Sequence, residues 1–372
     1  MTSQAVQICN GLGAGNIGDE LMNRAFWDAL PSGVTLDVEL LPNDAQRAPY
    51  PAPHRYVRLD WGGNPLPEPE APGVLVGDTP VTESLGLDWP LRFLGPRLAR
   101  FHERGLAVDA LGVGLEALGS DEARELFTRY FAPIRSWTVR TAACAAALRD
   151  LGVAEERIVV GADWAWLYRP REDLEPWAAA TFTVLGIDVR APLVVANVLN
   201  ERWAGAHAAK RAIAAALDTL VLRHGFQVAF FCNESRDGDF FDVAAAGEIR
   251  DAMTAPAAIV PNLYYSPDET LALLRPATVA LAGRYHFAVA AVLAGVPPVV
   301  LPRSAKMSGL LSDLELEPAG TVDAPDAATV VRHVLAAAEE RAVRVGRLEA
   351  RRAELARRAE RNLALWSAHG GR

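Results

Sequence analysis

The chain has 372 residues, of which 51% are apolar and 22% charged, enough for two domains with substantial cores and too apolar for a disordered chain. A net charge of -9 argues against general nucleic-acid binding and leaves room only for a local basic pocket. Residues 1–10 lack the basic head and long apolar stretch of a secretory signal, and the apolar run at 287–301 is broken by Pro297 and Pro298, too short to span a bilayer. Cys9, Cys144 and Cys232 stand in apolar surroundings without metal-ligand spacing, so they read as buried thiols of a cytoplasmic protein.

In chain order, Ala5–Cys9 is a short strand, followed by a Gly-rich turn and a helix over 19–30. Residues 34–40 alternate as a strand does. Residues 42–72, dense in proline, are expected to form a long irregular loop, the kind that serves as a lid or binding wall. Strands follow at 74–76, 107–113 and 137–139, with helices around 90–104, 121–130 and 141–151. After a proline-bearing boundary between Tyr168 and Pro192 the style repeats. Strands at 193–197, 227–231, 259–260, 277–283 and 298–301 alternate with helices at 207–224, 241–253, 267–274 and 287–294. Residues 326–366 read as an Arg- and Glu-rich helical tail packing back on the domains, with a dimer coiled coil the lesser reading because the apolar heptad is imperfect. Two βα-alternating blocks imply an α/β protein of two doubly wound domains facing a cleft at the carboxyl ends of their strands. The expected segments are 1–175, 190–325 and a C-terminal helical part, 326–372.

Arg284, Tyr285 and His286 stand where an apolar strand ending in Gly283 meets a helix closed by Gly295. A helix N-terminus favours anions, an Arg there adds a forked donor, and a His two residues later can transfer a proton near neutral pH. Lysine is scarce, with only Lys210 and Lys306, so Lys306 is expected to be kept for its compact ammonium, whereas Lys210 on an Ala-rich helix is read as incidental. Near the start, Gly13, Gly15 and Gly18 fit G-x-G-x-x-G, with Asp37 at the distance of a ribose contact. Asp19 and Glu20 directly after the turn would repel a pyrophosphate, so dinucleotide binding is the lesser reading beside a tight turn capped by Asp19. No His/Asp cluster has ligand spacing, and neither a metal nor a cofactor is expected.

Asn16-Ile17-Gly18-Asp19-Glu20 resembles the N-x-G-D-E signature of the polysaccharide pyruvyl transferase family. The resemblance continues through Val139-Arg140-Thr141, Leu151-Gly152-Val153 and Gly161-Ala162-Asp163, and is clearest from Ser266 to Leu316. There Arg284-Tyr285-His286 matches R-x-H, Gly295-Val296-Pro297 matches a G-V-P turn, and Lys306 matches a Lys after the next strand. The family implies a GT-B-like pair of Rossmann-like domains, the first on the acceptor side and the second on the donor side. It also implies transfer of the carboxyvinyl unit of phosphoenolpyruvate to hydroxyls of a sugar or glycan-like acceptor, commonly as a pyruvate ketal. In that light His286 would be the general acid, with Arg284, Arg140 and Lys306 binding the anionic donor. Asp19 would be an acceptor-activating base, with Asn16, Gly18, Glu20 and Asp163 lining the site. Trp164 and Trp166 would either stack on a sugar or belong to the core. Two departures stand out: Val76-Gly77-Asp78-Thr79-Pro80 replaces a glycine run, and Asn197-Val198-Leu199-Asn200 stands where an Arg is usual, with Arg202 slightly later. The alternatives are a sugar-nucleotide glycosyltransferase, with Glu234 and Glu269 as ribose contacts, and a degenerate binding homologue.

Overall fold

The structure, a computed structural model, describes residues 4–13, 15–40, 54–59, 68–198, 206–235 and 242–368. The chain divides into two compact units. One comprises residues 1–13, 19–168 and 354–372, the other residues 14–18 and 169–353.

The first unit carries a seven-stranded parallel sheet. Its strands are β1 (Ala5–Asn10), β2 (Leu36–Leu40), β3 (Arg55–Arg58), β4 (Gly73–Val76), β5 (Val108–Val113), β6 (Ser136–Val139) and β7 (Ile158–Val160), in the order β3-β2-β1-β4-β5-β6-β7. Strand order reverses between β1 and β4, which makes the loops after those strands the topological switch point. Helices α1 (Ile17–Ala29), α2 (Phe93–Glu103), α3 (Asp121–Leu126) and α4 (Ala142–Asp150) connect the strands. Trp137, Phe101, Phe127 and Phe131 are fully buried in the core between sheet and helices. β5 and β6 shift register between Ala110 and Val113, and Gly112 lies in this bulge at φ 65°. A side chain there would strike Trp164 and Asn362, so the bulge requires glycine twice over.

The irregular loop expected over 42–72 is corrected at 55–58. There β3 pairs in parallel with β2, anchored by a forked ion pair from Arg55 to Asp37. Residues 41–53 and 60–67 of that stretch lie outside the described residues. Helix α1 also starts two residues earlier than expected. Asp19 is therefore inside its first turn and does not cap it; Asn16 does so, its Oδ1 accepting from Gly18 N at 2.9 Å.

The second unit repeats the scheme with β8 (Leu193–Asn197), β9 (Gln227–Phe230), β10 (Ala258–Ile259), β11 (Val279–Ala282) and β12 (Pro298–Val300), all parallel, in the order β10-β9-β8-β11-β12. Its switch point lies between β8 and β11. Around the sheet run α5 (Glu175–Val184), α6 (Ala206–His224), α7 (Asp242–Ala252), α8 (Pro267–Leu274), α9 (Tyr285–Leu293), α10 (Ala305–Leu314) and α11 (Ala327–Glu339). α5 occupies the stretch read as the domain boundary, and α10 was not expected as a helix. α8 begins where the sequence places it because Ser266 and Glu269 form a reciprocal capping box. That cap assigns Glu269 a structural task in place of a ribose contact. Lys210, read as incidental, pairs with Glu248 at 2.7 Å.

The tail is two helices, α11 and α12 (Arg341–Ala368). Within the first unit, Asn362 of α12 donates from Nδ2 to the Ala162 carbonyl at 2.9 Å, and Arg358 donates to the carbonyls of Gly161 and Arg140. Cys144 and Cys232 are buried, and among the described residues neither forms a disulfide. Among the described residues no helix is long and apolar enough to cross a membrane.

His102 at the end of α2 donates from Nε2 to the Tyr130 carbonyl, and burial holds its imidazole below the usual 6.5, against a smaller upward pull from that bond. Such a group is neutral in the native state and takes up a proton first in the unfolded state. Its contribution to stability is therefore full above pH 6.5 and is lost as pH falls through the lower native value. His102→Gln should accordingly lose less melting temperature than the parent between pH of about 7 and about 5. Equal losses would show that His102 does not titrate on unfolding.

Candidate active site

The switch point of the second unit gathers the residues singled out after β11. Arg284 is the N-cap of α9, in extended conformation, and makes no side-chain cap; its guanidinium turns instead to Asp242. Nε and Nη2 donate to one carboxylate oxygen at 3.1 and 2.7 Å, and Glu234 lies 3.9 Å from Nη2. His286, in the first turn of α9, is 8% exposed, its ring edge-to-face with Tyr285 at 4.9 Å between centroids. Lys306, in the first turn of α10, has its ammonium 4.9 Å from the centre of the same Tyr285 ring. Lys306 and His286 are thus linked through one aromatic side chain.

The Asn16–Gly18 part of the N-x-G-D-E segment belongs to this unit as well. It is laid beside the residues after β9 by an antiparallel bridge between Asn16 and Glu234, with Ile17 N donating to Asn233 O at 2.9 Å and Ser235 N to Gly15 O at 3.1 Å. Gly15 has φ 72°, and a Cβ on it would fall 2.0 Å from Ser235 Oγ. Gly18 has no unusual backbone, yet a Cβ there would fall 2.0 Å from His286 Nδ1, 2.5 Å from Cγ and 2.6 Å from Cε1. The absence of a side chain at Gly18 is therefore what admits the imidazole.

The first unit holds the other expected residues. Arg140 follows β6 and is 3% exposed; its Nε lies 3.0 Å from Asp163 and also donates to the Gly112 carbonyl of the bulge at 3.0 Å. Asp163 caps the helical turn Trp164–Leu167 by accepting from Ala165 N at 2.9 Å. Arg140 and Asp163 are thus brought together as a buried, mutually neutralised pair. Gly77 and Asp78, at the departure from the glycine run, both have left-handed backbones, at φ 65° and 57°. The Asp78 carbonyl accepts from Gly114 N, and the ideal Cβ of Gly114 would lie 3.4 Å from Arg140 Nη1. Glu20, 1% exposed, accepts from Gly13 N at 2.8 Å and so closes the Gly-rich turn from within. Asp19 packs against Gly11. Trp164 and Trp166 are core residues, with the Trp164 indole donating to Leu111 O. Asp37 is engaged by Arg55, away from a ribose role.

Sequence reasoning missed Asp242. Its signal was an acid opening the helix expected from 241, in the same half of the chain as Arg284. Among the described residues no three His, Cys, Asp or Glu side chains group as a metal site.

Both units thus have the doubly wound architecture of GT-B enzymes. The sequence profile described as polysaccharide pyruvyl transferase matches residues 16–304, more than half of the chain, and the chain belongs to that family. Among solved structures, a putative UDP-N-acetylglucosamine 2-epimerase from Listeria monocytogenes is similar at TM-score 0.65 and 12% identity, over 99% of this chain and 97% of that one. A UDP-GlcNAc 2-epimerase from Neisseria meningitidis, bound to UDP-GlcNAc, matches at TM-score 0.63 and 9% identity over 98% and 100%. Anabaena HepE, in complex with UDP-glucose, matches at 0.57 and 11% over 99% and 100%. At such identities the likeness is one of fold alone. Comparison with curated proteins finds no match.

Proposed function

We propose that this protein transfers the carboxyvinyl unit of phosphoenolpyruvate to hydroxyls of a sugar or glycan-like acceptor and closes it to a pyruvate ketal. The observation that carries the reading is the seating of His286 against Gly18, which joins R-x-H to the Asn16–Gly18 part of N-x-G-D-E within one unit. Arg284 and Lys306, at the N-termini of α9 and α10, are the cations for the donor's phosphate and carboxylate. Arg140 has the weaker claim of the three, because Asp163 already balances its charge.

In the chemical step, protonated His286 gives its proton to the methylene carbon of phosphoenolpyruvate, and the adjacent carbon becomes oxocarbenium-like. A sugar hydroxyl bonds to that carbon, and its proton restores His286. The carbon–oxygen bond to phosphate breaks, a second hydroxyl takes its place, and that hydroxyl's proton leaves on hydrogen phosphate. One donor and one diol thus yield one ketal carboxylate and one phosphate. Asp19 and Asp163 are the carboxylates proposed for acceptor hydroxyls, with Asn16, Gly18 and Glu20 shaping the segment that carries Asp19.

Calorimetry tests the donor. Phosphoenolpyruvate should bind, and Arg284→Ala should weaken it by about tenfold or more, the usual effect of losing a charge-assisted bond. Heat with UDP-sugars or NAD and none with phosphoenolpyruvate would replace this reading with a nucleotide-dependent one.

A further inference from the structure

Asp242, the first residue of α7, is 1% exposed and has each carboxylate oxygen doubly occupied. Oδ1 accepts from Arg284 Nε at 3.1 Å and Nη2 at 2.7 Å. Oδ2 accepts from Asn197 Nδ2 at 3.0 Å and from Asn233 N at 2.7 Å. A carboxylate offers roughly four acceptor positions, so Asp242 has no capacity left for a ligand. It is a hub that ties together the carboxyl ends of β8, β9 and β11, the three strands around the switch point.

The same bonds dictate how Arg284 is presented. A guanidinium has five N–H groups in a fixed fork. Asp242 takes the Nε–Nη2 edge, while Nη1 makes no hydrogen bond among the described residues and the side chain remains 24% exposed. A free Arg side chain would lose substantial rotamer entropy on binding an anion. One clamped along one edge has lost it already, and offers its remaining N–H groups in a set direction.

Asn197 fits this arrangement. It opens the stretch 197–200 where the family resemblance puts an Arg, the rest of which beyond Val198, with Arg202, lies outside the described residues; its amide nitrogen is turned toward Asp242 and the Phe231 carbonyl, and Oδ1 is buried with no donor among the described residues. A second Arg at that place would compete for Asp242; an Asn binds one oxygen and leaves the other to Arg284.

We propose that Asp242 is a positioning residue, fixing Arg284 through its Nε–Nη2 edge so that the Nη1 edge receives the anionic group of the donor. The proposal rests on the reading of Arg284 as a donor cation.

The test is calorimetry with phosphoenolpyruvate and, separately, inorganic phosphate, on the full chain and on Asp242→Asn, Arg284→Lys, Arg284→Ala and the Asp242→Asn/Arg284→Ala double variant, with melting temperatures in parallel. Asp242→Asn should weaken phosphoenolpyruvate about tenfold or more, and should add less than about twofold once Arg284 is absent. Arg284→Lys keeps the charge but loses the fork. It should weaken binding similarly, and it serves in place of Asp242→Asn should that variant fail to fold. A merely structural Asp242 would lower the melting temperature and leave the affinity alone; wild-type affinity in Asp242→Asn or Arg284→Lys, or additive losses, would overturn the proposal. Phosphate binding as tightly as phosphoenolpyruvate, with both weakened by Asp242→Asn, would sink the donor reading and leave Asp242 in its role. Binding of neither anion would overturn both.

Discussion

A Gly18→Ala protein is expected to fold and still bind phosphoenolpyruvate within a few-fold, yet to lose at least about a hundredfold in turnover. The added methyl would stand 2.0–2.6 Å from three atoms of the His286 ring. No small adjustment accommodates that, because His286 lies in the first turn of a buried helix whose Phe287, Ala288 and Val289 are fully enclosed. The ring must leave its position, and with it goes the acid, whose contribution to such a step is typically 10²–10⁴-fold. Overpacking should also cost about 1–3 kcal/mol of stability. The double variant Gly18→Ala/His286→Ala discriminates: with the ring removed, the methyl has room, so its melting temperature should match that of His286→Ala alone. Phosphate release from phosphoenolpyruvate, followed across a panel of glycosides, reports turnover. A Gly18→Ala protein with parental turnover would remove His286 from the mechanism.

The contact behind this prediction was only half legible in the sequence. R-x-H at a strand-to-helix junction and N-x-G-D-E after a Gly-rich turn were both visible, as was the alternation of strands and helices. Apolar periodicity and capping residues such as Ser266 act over a few positions and leave their mark there. That Gly18 meets His286 was not legible, because it depends on the bridge from Asn16 to Glu234, a pairing between segments from opposite halves of the chain with no apolar pattern in either. Asp242 was missed for the same reason: its partners Asn197, Asn233 and Arg284 follow three different strands, and only the strand order brings them to one carboxylate. β3 was obscured by the prolines around it. Arg55-Tyr56-Val57-Arg58 is too short and too charged to read as a strand, and it is held at the sheet edge partly by the ion pair of Arg55 with Asp37. That pair also removes Asp37 from the nucleotide reading that its spacing invites.

The largest stability effect is expected away from the site, at Arg97. Its side chain is 3% exposed on α2, its Nε donates to Glu39 Oε1 at 2.7 Å, and Glu39 on β2 is 1% exposed. The guanidinium also lies 4.9 Å from the centre of the Phe101 ring one turn on. Two charges taken this far from water attract each other strongly but have each lost their hydration, so the pair as a whole contributes little relative to apolar residues. Removing one member is different, because the other stays buried with its charge uncompensated. Arg97→Ala should therefore cost about 3–5 kcal/mol, partly through the lost stem and ring contact. Glu39→Leu/Arg97→Met removes both charges and keeps most of the volume, and should recover most of that loss. The comparison is read as melting temperatures of the three proteins in one buffer, since a two-unit chain need not unfold in a single step. If Arg97→Ala melted with the parent, Glu39 would have to be hydrated or protonated in the native protein, and the pair would not be the buried tie between β2 and α2 that its geometry describes.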